Sequence, residues 1–207
     1  MKQKIKVCGM KQAANIAAVA DLRPNYMGFI FYQKSPRYIS EISAELIKYV
    51  PSEIKTVGVF VDEDIETVKA LVAKHYLKAV QLHGKETVDF CREIKQMGVE
   101  VIKAFGVHPD FDFSILEAYE PAVDYFLFDT QTPAHGGSGK VFDWTLLVKY
   151  QLDKPYFLSG GIDLSHAMQI KNMEDKRLYA IDINSKFELS PGLKDVGKLK
   201  EFLKELN

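Results

Sequence analysis

Lys4-Ile5-Lys6-Val7-Cys8-Gly9-Met10 is the stretch on which the reading of this chain turns. Charged and β-branched residues alternate along it, which is the pattern of a strand with two different faces. A glycine ends the run directly after a cysteine. If this is the first strand of a parallel barrel, Cys8 lies at a strand's C-terminal end, where such barrels carry their chemistry. If it is only an edge strand, Cys8 is a small buried filler.

Outward from that stretch, apolar runs recur at Ile5–Cys8, Tyr26–Phe31, Thr56–Val61, Ala79–Leu82, Val99–Phe105, Tyr125–Asp129, Tyr156–Ser159 and Tyr179–Asp182. Each reads as a strand. Helical patterns lie between them: Gln12–Leu22, Glu41–Tyr49 (capped by Ser40 or Ser43), Asp64–His75, Glu86–Met97 ending at Gly98, a poorly formed segment at Phe113–Tyr119, Asp143–Tyr150, Ser165–Asn172 and Asp195–Leu206. The strands recur roughly every 20 to 30 residues, one βα unit each. Strands alternating with helices imply a parallel sheet, either open and doubly wound or closed. Eight units favour a single-domain (β/α)8 TIM barrel over residues 1–207, near the lower size limit of that fold. No G-x-G-x-x-G follows the first strand, which argues against a dinucleotide site.

Composition narrows the function classes. Hydrophobic residues at 47% and charged residues at 27% suit a soluble globular domain with a sizeable core. Formal charge is −1, so no basic excess invites nucleic acid or a membrane surface. No apolar run approaches a membrane span, and the N-terminus lacks an apolar signal core. A cytoplasmic protein with its two cysteines, Cys8 and Cys91, as free thiols is the expectation. The five histidines show no H-x-x-x-H spacing and the cysteines no C-x-x-C, so no metal site is expected.

Polar or glycine residues end nearly every strand: Cys8-Gly9, Asp62, Gln81-Leu82-His83-Gly84, Asp129-Thr130, Ser159-Gly160-Gly161 and Asp182-Ile183-Asn184-Ser185. By alternation, Lys6, Cys8, Gln81, His83, Lys103 and Asp129 point into the barrel. Lys6, Lys103 and Asp129 would then form an internal network, since buried charges must be paired. Leu158-Ser159-Gly160-Gly161 leads from a strand towards a helix, so its backbone N–H groups and the helix dipole suit an anion. With Ser185 after the last strand, it fits the phosphate site that many barrels build there. Gly136-Gly137-Ser138-Gly139-Lys140 sits in a long loop after Asp129 and reads as a binding segment or lid, or else as a flexible connector. Arg37, beside Pro36 at the mouth, suits a carboxylate or phosphate through a bidentate fork.

The chain resembles the phosphoribosylanthranilate isomerases, small (β/α)8 enzymes of tryptophan biosynthesis. The resemblance rests on K-V-C-G-M at 6–10, G-F-I-F-Y-Q-K-S-P-R-Y-I at 28–39, V-G-V-F-V at 57–61, V-Q-L-H-G at 80–84, F-D-T at 128–130, G-G-S-G-K-V-F-D-W at 136–144, L-S-G-G at 158–161 and P-G-L-K-D at 191–195. It implies an Amadori rearrangement of N-(5-phosphoribosyl)anthranilate by general acid–base catalysis, with no metal or organic cofactor. Cys8 would be the base and Asp129 the acid. Arg37, His83, Gly136 and Gly137 would bind substrate, and Ser159, Gly160, Gly161, Asp182, Asn184 and Ser185 would hold its phosphate. The acid must hold a proton and the base must lose one, so Lys6 beside Cys8 would favour the thiolate. The partner is a small phosphosugar–anthranilate, and the protein a monomer or homodimer.

Two departures stand out. The family's common S-S-G-V-E after strand 8 reads Asn184-Ser185-Lys186-Phe187-Glu188 here, and its threonine after C-G-I is Lys11. The alternatives are another phosphosugar barrel, such as an indole-glycerol-phosphate synthase relative or an aldolase using Lys103 as a Schiff base, and a barrel that binds phosphosugars without catalysis.

Overall fold

The computed structural model describes residues 3–130 and 142–206. Eight parallel strands run β1 (Lys4–Val7), β2 (Tyr26–Ile30), β3 (Lys55–Phe60), β4 (Ala79–Leu82), β5 (Glu100–Val107), β6 (Tyr125–Thr130), β7 (Tyr156–Leu158) and β8 (Leu178–Ile183), closed in that order into a barrel. Closure pairs β1 with β8, and Lys6 faces Asp182 in register across that seam. The opening stretch is therefore a barrel strand with a neighbour on each side, not an edge.

The α-helices are α1 (Ala13–Ala20), α2 (Ala44–Ile47), α3 (Ile65–His75), α4 (Val88–Lys95), α5 (Leu116–Tyr119), α6 (Ala167–Lys171) and α7 (Val196–Leu206). Local chemistry sets several of their ends. Asp64 accepts from the N–H of Thr67 ahead of α3, and Thr87 accepts from that of Phe90 ahead of α4. Gly98, with φ of 76°, follows α4 as expected of a left-handed terminator. The second helix is much shorter than its pattern, and Ser43, not Ser40, caps it. The unit expected as a helix at 143–150 is a 3-10 run, Trp144–Lys149. Tertiary packing of single apolar residues holds these short pieces; propensity alone would not. A hairpin of β9 (Glu188–Ser190) and β10 (Leu193–Lys194) after β8 has no counterpart in the sequence reading.

Two apolar layers make the core. Outside the barrel, strand residues such as Phe29, Leu82, Val101, Phe126, Phe128 and Leu158 pack against the helices. Inside, Tyr26, Val57, Ala79, Ile102, Ala104, Leu127, Phe157 and Ala180 fill the lower half. Above that plug the inward positions turn polar, with Lys6, Gln81, Asp129 and Asp182 all buried. The polar end is the C-terminal end of the strands.

Lys103 departs from expectation. Ile102 and Ala104 take the inward positions of β5, so Lys103 faces the helix layer. There its Nζ donates to Glu86 at 3.0 Å and to the carbonyls of Leu82, Gly84 and Ala104. Glu86 in turn accepts from the N–H groups of Asp62 and Gly84. The expected network of Lys6, Lys103 and Asp129 does not form: Lys6 pairs with Asp182 and Lys103 with Glu86, because β5 turns its lysine outward. Both side chains of the Lys103–Glu86 pair are 2% exposed. Glu86→Ala would strand a buried cation and should cost about 3–5 kcal/mol in urea denaturation, whereas Lys103→Met with Glu86→Leu should cost much less.

Candidate active site

At the C-terminal end of the strands lies a cavity of about 550 Å³. That volume suits a ligand of metabolite size. Cys8 sits in its wall next to Asp182 and Asn184 from the β8 end, with Asp129 from β6 and Gln81 and His83 from the β4 end. The part of the wall from β2, β3 and the loops that follow them is apolar, with Ile30, Tyr32, Val59 and Val61, and Arg37 comes from the loop after β2. The loops after β7 and β8 carry Ser159, Gly160, Gly161 and Ser185. The sequence residues Cys8, Arg37, His83, Asp129, Ser159, Gly160, Gly161, Asp182, Asn184 and Ser185 are all brought together here. Gly136 and Gly137 lie outside the described residues. The apolar wall went unread in the sequence, although its residues alternate along β2 and β3 as inward positions should.

Cys8 is 4% exposed. Burial pushes its thiol up, Lys6 and Lys194 pull it down, and Asp182 pushes it up again. The net direction is upward, opposite to the expected easy thiolate. The reason is that Lys6 is already committed: its Nζ lies 2.9 Å from each carboxylate oxygen of Asp182. Burial would discharge Lys6, but Asp182 and Cys8 together hold it firmly as a cation. Both cysteines are free.

Asp182 has a further tie: both of its oxygens bind Lys6, so at 5% exposure in the cavity wall it is the counter-ion of that lysine. A second carboxylate, Asp129, faces the cavity with Oδ2 3.2 Å from Nε2 of His83. Its Oδ1 accepts from the N–H of Thr130 at 2.7 Å. Gly160 makes this approach possible. A Cβ there would lie 2.7 Å from the Thr130 nitrogen and 2.9 Å from Oδ1 of Asp129, and its φ is 91°. The S-G-G loop is therefore glycine-rich first to let β6 and its acid come close. The helical turn behind it is short, and Asp163 caps it, so a helix dipole contributes little.

Arg37 is not an open fork. Its Nε and Nη2 are held by Glu188 at 2.9 and 2.6 Å, and Lys194 donates to the same carboxylate at 2.7 Å and to Asn184 at 2.7 Å. Burial pushes Glu188 up, but these cations outweigh it and hold it below the usual carboxylate range. The β9–β10 hairpin thus braces the arginine from behind and leaves Nη1 outside that clasp. Gly9 is required by the same packing. A Cβ there would lie 2.6 Å from Cδ of Arg37 and 2.8 Å from Oδ1 of Asn184. Lys186 is exposed and does not line the cavity, and Phe187 beside it is buried against Phe202. Lys103 is also absent from the cavity wall, which removes the basis for a Schiff-base aldolase.

A family model described as N-(5'-phosphoribosyl)anthranilate isomerase matches residues 5–205. The chain belongs to this family. Among similar proteins, the isomerase of Parabacteroides distasonis is 43% identical over 204 residues, covering 98% of this chain and 92% of that one. The isomerase structure from Thermotoga maritima superposes with a TM-score of 0.86 at 35% identity, covering 99% and 98% of the two chains. Another family member, 31% identical with a TM-score of 0.82 over 99% of this chain and 98% of its own, was solved in complex with reduced 1-(o-carboxyphenylamino)-1-deoxyribulose 5-phosphate. The Thermotoga maritima enzyme is described as dimeric. Among the described residues, no helix is long and apolar enough to cross a membrane.

The electrostatics give a direct test at Cys8. Its alkylation by iodoacetamide should rise with pH and pass its midpoint above 9.0. Lys6→Met should move that midpoint up, and Asp182→Asn should move it down, because the latter frees the lysine charge for the sulfur. Cys91 is fully buried and likewise pushed up by burial, and a Cys91→Ser background isolates the Cys8 reading.

Proposed function

We propose that Cys8 and Asp129 are the base and acid that carry out the family's isomerisation of N-(5'-phosphoribosyl)anthranilate in tryptophan biosynthesis. The single observation that carries the assignment is that a thiol and a carboxyl group line one cavity between an apolar wall and a glycine loop. A substrate with an aromatic ring at one end, a sugar in the middle and a phosphate at the other matches that order. The ring lies against Ile30, Tyr32, Val59 and Val61, with its carboxylate towards Arg37. The phosphate lies on Ser159, Gly160, Gly161 and Ser185, with Asn184 nearby. The sugar is then held over Cys8 and Asp129.

The chemistry follows from that placement. Asp129 gives a proton to the ribose ring oxygen as the C1–O bond breaks, and the nitrogen lone pair forms the Schiff base. The Cys8 thiolate removes the C2 proton, and those electrons move into the C1–C2 bond to give an enolamine. Loss of the O2 proton and gain of one at C1 complete the ketone, so no atom is gained or lost overall. The raised thiol of Cys8 cuts both ways. It lowers the thiolate population, but each thiolate is a stronger base. Lys6 supplies the positive charge that keeps the minority thiolate accessible in a buried site.

All of these residues come from one chain, so a monomer or a homodimer would carry complete sites. A cytoplasmic location is in keeping with a biosynthetic role and with two free thiols. The reading is tested by following the loss of substrate fluorescence on addition of the purified protein. Cys8→Ala and Asp129→Asn should each lower kcat by about 10²–10⁴-fold while still binding product. Arg37→Ala should act mainly by raising KM. Full turnover in Cys8→Ala would remove the cysteine from the role of base.

A further inference from the structure

Gln81 and His83 stand two residues apart, so both side chains point into the barrel. Nε2 of Gln81 lies 2.8 Å from Nδ1 of His83, and Nε2 of His83 lies 3.2 Å from Oδ2 of Asp129. Gln81 is 1% exposed, and its Oε1 is buried with no hydrogen-bond partner among the described residues. A buried acceptor left unpaired is costly and calls for a reason. Here the amide leaves its oxygen unpaired while its NH2 faces the imidazole.

An amide NH2 is only a donor, so it can bond Nδ1 only when that nitrogen carries no proton. The neutral ring then has its proton on Nε2, the nitrogen that lies 3.2 Å from Oδ2 of Asp129. A second proton on Nδ1 is opposed by the same contact. We propose that Gln81 is a positioning residue that fixes His83 as a neutral Nε2–H donor to Asp129. The proton delivered to the sugar ring oxygen then leaves from the Asp129 carboxyl group and not from the imidazole. As that O–H bond breaks, the carboxylate that forms is met by the Thr130 N–H already bonded to Oδ1 and by the Nε2–H of His83, which lies 3.2 Å from Oδ2 and closes onto it as charge develops. Both contacts strengthen as negative charge develops, which favours the transition state over the ground state. Among the described residues, Asp182 is a second carboxylate whose charge is coupled to His83, and Lys6 holds it. Asp129 is therefore the carboxylate partner of the ring.

The inference rests on Asp129 being the acid, but its first test does not depend on activity. Nitrogen-15 NMR of the wild-type imidazoles should show His83 as the Nε2–H tautomer at neutral pH. The Nδ1–H tautomer, or an imidazolium, would overturn the proposal, because it would mean that the amide is turned the other way. Gln81→Glu places an acceptor against Nδ1 and should convert His83 to the doubly protonated ring. In that variant kcat should fall about tenfold, with its alkaline limb moved to lower pH and KM within about twofold. A loss of kcat with the tautomer and the pH profile unmoved would reduce Gln81 to packing and overturn the proposal. If the tautomer is as expected but Asp129→Asn retains full turnover, the failure lies with the acid assignment and not with Gln81.

Discussion

Lys6 and Asp182 meet across the seam where the first strand joins the last, and their ion pair lies inside the barrel with the lysine fully buried. Two demands converge on that contact. Closing the barrel brings β1 against β8, and the inward residues at that level must then fill the space above the apolar plug. A lone lysine or a lone aspartate there would be untenable, whereas the pair is self-neutralising. The same ammonium group is the main positive influence on Cys8. Closure of the fold and the state of the reactive thiol therefore depend on one contact.

The buried charges at this end of the barrel follow a common rule. Arg37 and Lys194 share Glu188, and Lys103 is held by Glu86. Each of these cations is preset by a carboxylate partner, and neither Glu188 nor Glu86 itself lines the cavity. Such fixed dipoles and ion pairs need little reorganisation when substrate charge shifts, which is what a preorganised site requires. The cost is that the buried cations are already engaged. Arg37 offers less than its full fork, and Cys8 feels a lysine already shared with Asp182.

Legibility followed the length scale of the interactions. Strand positions were readable because an apolar run bounded by polar residues has a local signature. The face of each strand was readable where the neighbours differ sharply, as along Lys4–Cys8. It failed at Lys103, where apolar Ile102 and Ala104 take the interior and the charge is met by Glu86 from the loop ahead of α4. The β9–β10 hairpin was also missed. Its strands are three and two residues long, too short to carry a local signature, and Glu188 and Lys194 meet across them behind Arg37.

By itself the sequence determined the eightfold alternation, the placing of Cys8 and Asp129 at strand ends, and the ordered motifs of the family. These are properties of spacing, and spacing is local. The tertiary structure alone decided which charges meet. It paired Asp182 with Lys6, gave Glu188 to Arg37, and set His83 between Gln81 and Asp129. Partners such as residues 6 and 182 are far apart in the chain, and only closure of the barrel brings them within hydrogen-bonding distance.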